Sequence, residues 1–213
     1  MDIGEKVTSI LRAVSNCMQV PVIIVLLLLI AAALILVGVT IVEYLMERKK
    51  LEVNLPELVD RIKYRAEKPE ILVEKSGLLF RQKKALYKMI EQSMLDEETL
   101  EALAARILFE EKTHYQRRLL PSEMIERLGP MFGLLGTLIP LGPGILALSQ
   151  GDTYTLSMSL LTAFDTTVAG LLSAAVAFVI TIVRKRWYQD YMSSLELLME
   201  TILGVLYDGK RKV

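Results

Sequence analysis

The sequence contains one cysteine, Cys17, and one histidine, His114, among 213 residues. A single cysteine excludes a disulfide within the chain, and one Cys with one His leaves too few soft ligands for a zinc-type site. No glycine-rich phosphate loop, HExxH pair or GxSxG elbow occurs, so the common nucleotide, metalloprotease and hydrolase chemistries have no residues to carry them. Lys plus Arg number 25, as do Asp plus Glu, and the resulting formal charge of zero leaves no basic footprint for a nucleic-acid partner. Gly/Ser-rich linkers are missing too, which argues against a separate catalytic domain on a flexible tether. The expectation is a protein that is not an enzyme, with no cofactor and no bound metal.

What is abundant is apolar surface. Hydrophobic residues make up 53% of the chain, yet 23% of it is charged. The two coexist because they are segregated. The first apolar run, PVIIVLLLLIAAALILVGVTIV, extends from Pro21 to Val42 and reaches about 33 Å as a helix, enough for the bilayer hydrocarbon. A cleaved secretory signal would have an apolar core of about 7–15 residues and a small-residue cleavage site. This run is longer and stops at Glu43, Tyr44 and ERKK, so it reads as a retained span. The second run, MFGLLGTLIPLGPGILAL, covers Met131 to Leu148 without a charge; the third covers Leu160 to Val183 and stops at RKRWY.

Basic residues give the direction. Arg48, Lys49 and Lys50 follow the first run, Arg117, Arg118 and Arg127 precede the second, and Arg184, Lys185 and Arg186 follow the third. The other side has only Lys6 and Arg12, offset by Asp2 and Glu5. The expected layout is an outer segment at 1–19, span one at 20–45, a cytoplasmic helical region at 46–128, span two at 129–149, an outer loop at 150–159, span three at 160–184 and a cytoplasmic C-terminal helix at 185–213. The expected location is the cytoplasmic membrane, multi-pass, N-terminus outside and C-terminus inside. Trp187 and Tyr188 suit an interfacial aromatic anchor.

Inside the cytoplasmic region, Leu78, Leu79, Ala85, Leu86, Met89 and Ile90 recur at a helical spacing. Asn54 before LPEL reads as a helix start with proline in the first turn. Asp96 is placed to cap EETLEALAARILFEEKTHYQRRLL, which has acids in its first turn and bases in its last. Pro69 and Gly77 interrupt the pattern. These helices are expected to pack on one another and on neighbouring subunits rather than lie on the membrane, because no strongly basic face is present.

Spans two and three each have two faces. On span two, Gly133, Gly136, Thr137, Pro140, Pro143, Gly144 and Ala147 share one arc, while Leu134, Leu138, Leu141, Ile145 and Leu148 lie elsewhere. Small faces let membrane helices approach closely, so the arc predicts a packing seam. On span three, Thr162, Thr166, Ala169, Gly170, Ser173 and Ala177 form the small polar side, and Phe164, Val168, Leu171, Leu172, Phe178 and Val179 a bulky side suited to lipid or to span one. Asp165 and Thr167 fall on opposite margins of the polar side. A carboxylate at membrane depth costs about 2.5–3.5 kcal/mol on insertion scales, so Asp165 marks an ion path, a structural hydrogen bond or closeness to the outer interface.

Two motifs carry a resemblance. LGPMFGLLGTLIPLG resembles the span-two signature of the MotA/TolQ/ExbB proton-channel family, with its proline, GLxGT core and threonine on Pro130, Gly133, Leu134, Gly136 and Thr137. AFDTTVAGLLSAAVA is similar to the span-three signature, with the hallmark threonine at Thr167 and the following glycine at Gly170. Three spans and one large cytoplasmic region resemble the ExbB/TolQ branch. The resemblance implies an all-α membrane protein, a homopentamer whose second and third spans line a central pore around a dimer of a small single-span ExbD/TolR-like partner. It further implies a stator that converts ion flow into mechanical work, with Thr137 and Thr167 beside the path of a proton-carrying aspartate on the partner. Thr162, Asp165, Thr166 and Ser173 join them as pore-lining candidates, and Gly133, Gly136, Pro140, Gly144 and Gly170 as packing positions. The sequence departs from the family at Thr162, where many members have glutamate, at Val176, where proline is common, and at Pro140, where glycine is frequent. A sodium-driven motor and a non-conducting membrane scaffold are the alternative readings.

Overall fold

A computed structural model of the chain describes residues 3–48, 54–64 and 68–210. Lys49 and Lys50, and the side chains of Asp2, Glu5, Arg12 and Arg48, lie outside the described residues. Every regular element among them is helical: α1 (Ile3–Glu43), which continues as a π-helical turn (Tyr44–Arg48), α2 (Leu55–Lys63), α3 (Pro69–Lys75), α4 (Phe80–Ile90), α5 (Glu97–Ser149) and α6 (Thr153–Lys210). Helices α1, α5 and α6 are each long and apolar enough to cross a membrane.

The chain divides into two compact units. The first comprises residues 1–39 and 120–182. On α1, Val22, Leu26, Leu29 and Ala33 form a single buried stripe, at the spacing that one helical face requires. Leu29 and Ala33 pack with Ile125 of α5 and Ala177 of α6, and Val22 and Leu26 pack with Ile139. Thus α1 meets the Ala177 side of span three, not the bulky side. Phe164, Val168, Leu171, Leu172, Phe178 and Val179 are all exposed, as are Leu27, Leu28, Leu34 and Ile35 of α1.

The connection between α5 and α6 is tighter than the expected loop at 150–159. Gly151 has φ +78°, the left-handed region where glycine carries no steric penalty. The Asp152 N–H donates to the Ala147 carbonyl at 2.9 Å and the Gly151 N–H to Leu148 at 3.0 Å, the double bond pattern that ends a helix at a left-handed residue. Asp152 then caps α6, accepting from the Thr155 N–H at 3.0 Å. One glycine and one aspartate make the turn, so α6 begins at Thr153 and residues 153–159 are helical.

The second unit comprises residues 40–119 and 183–213. Its core joins Leu58 and Ile62 of α2, Leu72 and Val73 of α3, Leu86 and Met89 of α4, Leu100 and Ile107 of α5, and Leu195, Leu198, Met199 and Ile202 of α6. The expected periodicity of α4 and the cap of α5 are both observed: Asp96 accepts from the Thr99 N–H at 3.0 Å. Asn54 precedes α2 with proline in the first turn, but its side chain makes no cap bond; it donates instead to Glu57 at 3.3 Å. Pro69 opens α3, and Gly77 lies in the connection to α4.

Two expected helix ends are absent. QRRLL was read as the last turn of a cytoplasmic helix, but α5 continues through Pro121, Pro130, Pro140 and Pro143 to Ser149. Proline makes a helix boundary probable, not obligatory, since neighbouring groups can satisfy the freed backbone. No separate C-terminal helix starts at 185, because α6 runs unbroken to Lys210.

Candidate functional site: a small-residue seam and a buried carboxylate

Within the first unit, α5 and α6 meet along the two small faces. A Cβ built on Gly136 would lie 2.5 Å from Thr166 Cβ, and one on Gly129 would lie 2.6 Å from the Gly170 carbonyl oxygen. A Cβ on Gly170 would lie 2.8 Å from Gly133 Cα, and one on Gly144 would lie 2.9 Å from Ser159 Cβ. At Gly129, Gly133 and Gly170 backbone rests against backbone, and Gly136 and Gly144 lie against the side chains of Thr166 and Ser159, an approach available only where the glycines carry no side chain. Gly133, Gly136, Pro140, Gly144 and Ala147 are buried on this seam, Thr137 is half-buried, and Pro143, expected on the same arc, is exposed.

The polar groups of span three expected beside the path fall into three environments. Thr166 and Ser173 are buried, Thr162 and Thr167 are half-buried, and Asp165 is exposed on the single chain. Each hydroxyl proton is already committed. Thr167 Oγ1 donates to the Ala163 carbonyl at 3.0 Å, Thr162 to Met158 at 3.0 Å, Ser173 to Gly170 at 2.9 Å and Thr137 to Leu134 at 2.7 Å. Thr166 splits its donation between Thr162 and Ala163, at 2.9 and 3.0 Å. A hydroxyl with its proton turned back to its own helix presents lone pairs outward and so acts as an acceptor. The structure brings Thr166, Gly170 and Ser173 together with span two; it leaves Asp165 among exposed Phe164, Val168 and Leu172.

A second arrangement, in the other unit, was not visible in the sequence. Glu43 is buried, and Arg184 donates from Nε to Glu43 Oε2 at 2.8 Å and from Nη2 to the same oxygen. The Tyr188 hydroxyl donates to Oε1 at 2.7 Å, and Arg118 Nη1 stands 3.6 Å from that oxygen. Tyr188 is therefore not a lipid-facing anchor. It belongs to a buried cluster with Tyr115, 4.7 Å away between ring centroids, and Tyr191. Burial, then the hydrogen bond to the Glu43 carboxylate, pushes the Tyr188 phenol well above its ordinary value. Trp187, the other expected anchor, stacks on Tyr44 at 5.8 Å. The signal lay in position: Glu43 is the first charge after the first apolar run, and Arg184 the first after the third. Among the described residues no group of three or more His, Cys, Asp or Glu is placed to hold a metal.

No curated protein matches the chain. A model of the MotA/TolQ/ExbB proton channel family matches residues 77–197, more than half of the chain, and takes in both signature motifs and the whole α5–α6 seam. With three helices able to cross a membrane, the chain is a multi-pass membrane protein of the channel type, and it belongs to the MotA/TolQ/ExbB proton channel family.

Proposed function

We propose that the chain is the ion-conducting stator subunit of an ExbB/TolQ-like motor, with the proton as the conducted ion. In this reading it forms a homopentamer in the cytoplasmic membrane, N-terminus outside, and drives a dimer of a small single-span ExbD/TolR-like protein. The observation that carries the proposal is the position of Thr137 and Thr167. Both are half-buried at the margin of the seam, and both have hydroxyl lone pairs free to accept. Each can accept from a protonated carboxyl group or from water as a proton passes. Thr162 and Asp165 then supply further polarity beside the path, while Gly133, Gly136, Pro140, Gly144 and Gly170 hold the walls together.

Thr167→Val keeps the shape of the side chain and removes the acceptor. The expected result is loss of at least about 90% of ion-driven output, equivalent to about 1.4 kcal/mol or more, with the oligomer intact by native mass spectrometry. Unchanged output would overturn the assignment. Threonine and carboxylate oxygens also suit a hard cation, so the sodium-driven reading is separated by measuring output with and without sodium at a fixed proton gradient. The scaffold reading predicts silence from both Thr167→Val and Asp165→Asn, with loss of function only on deletion within residues 55–120.

A further inference from the structure

The second unit contains a cavity of about 820 Å³ bounded by the turn after α1, the α3–α4 connection, the start of α4 and one face of α5. Its charge is unbalanced. Five cationic side chains, Arg81, Lys83, Lys84, Lys88 and Arg118, line it against three carboxylates, Glu47, Glu110 and Glu111. Two of the five are paired. Arg81 forms a two-pronged bridge with Glu111, both bonds 2.9 Å, and Lys88 stands 3.5 Å from Glu110.

Among the described residues Lys83 and Lys84 have no carboxylate partner at this cavity, and Arg118 shares one, Glu43, with Arg184. Lys83 donates to the Glu74 main-chain carbonyl at 2.7 Å, which satisfies a hydrogen bond but leaves the charge uncompensated. Arg118 lies 3.6 Å from Glu43, whose oxygens are already held by Arg184 and Tyr188. Lys84 is exposed and makes no ion pair among the described residues. Among the described residues, Glu47 and the Glu43 already bound to Arg184 are the carboxylates that stand against these three. Like charges gathered around one concavity repel, and an anion of the right size relieves that repulsion.

The cavity also has an apolar side. Met46, 62% exposed, and Phe80, 81% exposed, line it beside Leu78 and Leu79. Met46 follows Glu43 by three residues, so chain continuity puts this wall within about 5 Å of helical rise from the end of span one. A free phosphate has no use for an apolar lip, but the glycerol and first methylenes of a lipid do. Polybasic groups just beyond a membrane span are the ordinary means of holding anionic headgroups.

We propose that this cavity binds the phosphate of an anionic glycerophospholipid from the leaflet at the end of span one, with Lys83, Lys84 and Arg118 as its cationic contacts. The proposal rests on α1 crossing the membrane and is independent of ion conduction. Such a lipid would tie the turn after span one to α4 and α5.

The test uses the full chain in detergent, titrated with phosphatidylglycerol or phosphatidylcholine, with bound lipid counted by native mass spectrometry and unfolding followed thermally. The expected result is retention of phosphatidylglycerol over phosphatidylcholine and a higher midpoint with the former. Lys83→Gln combined with Lys84→Gln should lower the affinity for phosphatidylglycerol by roughly tenfold or more, given the usual contribution of lysines near an anionic surface. Neither lysine is buried, so the double variant should fold. Lys185→Gln, which removes a cation outside the cavity, should leave the affinity unchanged.

Equal loss in the Lys185 variant would mean diffuse surface charge and overturn the proposal, as would full retention in the double variant. Inorganic phosphate or glycerol 3-phosphate reproducing the shift while the lipid does not would overturn the lipid as the source. Loss of the phosphatidylglycerol preference in the Lys83→Gln, Lys84→Gln double variant, with ion-driven output intact, would support the site independently of conduction.

Discussion

At the scale of single residues, the buried Glu43–Arg184 pair has the most to lose. A buried ion pair is often no more stable than well-packed apolar residues, but removing one partner leaves a buried charge unmatched, at about 3–5 kcal/mol. Glu43→Leu is therefore expected to lower the thermal midpoint of the detergent-solubilised chain sharply, since Arg184 is 4% exposed and has little water to turn to. Glu43→Leu with Arg184→Leu should recover most of that loss. A double variant as unstable as the single one would show that the pair acts through something other than its charge. His114 gives a gentler effect. Burial first, then the guanidinium groups of Arg81 and Arg118, holds its imidazole below the ordinary value of 6.5, opposed by Glu111 and reinforced by Arg117. With the folded-state value lowered, the unfolded chain takes up the proton first. Stability is then full above about pH 6.5 and falls as pH drops below it toward the folded value. His114→Gln should flatten the thermal midpoint between pH 7.5 and 5.5, whereas an unchanged slope would assign the pH dependence to other groups.

At the scale of the element, the seam between α5 and α6 and the free surface of α6 respond oppositely to the same added methyl group. A Cβ on Gly170 meets Gly133 Cα at 2.8 Å and Gly133 N at 3.1 Å, backbone atoms that move only if the helices part. Overpacking of this kind costs about 1–3 kcal/mol, so Gly170→Ala should lower the thermal midpoint. Around Gly204, on the same helix, nothing lies within 4 Å of an added Cβ, and Gly204→Ala should raise it by about 0.5–1 kcal/mol through helix propensity and a less free unfolded chain. The seam was legible beforehand because period and residue size are local properties: Gly133, Gly136, Gly144 and Gly170 could be placed by counting. The Asp96 cap was legible for the same reason. The run of α5 through Pro121 was not, because whether a proline ends a helix depends on packing around it. The Glu43–Arg184 contact joins residues 141 positions apart, and neither local period nor composition specifies which of several interfacial charges meet. Asp152 was read as part of a longer loop because its capping role depends on Gly151 adopting the left-handed conformation first.

At the scale of the whole molecule, Asp165 sets the requirement. It lies five residues, about 7.5 Å of helical rise, inside the third apolar run that starts at Leu160, and in the single chain it is exposed between apolar neighbours. Lipid does not solvate a carboxylate, and the cost of about 2.5–3.5 kcal/mol is met by water in a cavity, by a polar group from another chain or by closeness to the outer interface. Among the described residues of the single chain, Asp165 forms no side-chain hydrogen bond or ion pair. In the proposed ring of identical subunits, the margin with Asp165 and the margin with Thr167 would face different neighbours or a shared lumen. The chain purified gently from its own membrane is thus expected as a pentamer holding a dimer of a small single-span protein with a membrane aspartate, and native mass spectrometry reads both stoichiometries. Asp165→Leu removes the need for solvation while keeping an apolar surface. If Asp165 is wetted by the ion path, this variant should keep the ring but lose ion-driven output. If the carboxyl group instead bonds a neighbouring subunit, the ring itself should weaken into smaller species. A ring and an output both unchanged would show that Asp165 reaches the outer interface and that Thr137 and Thr167 serve the path without it.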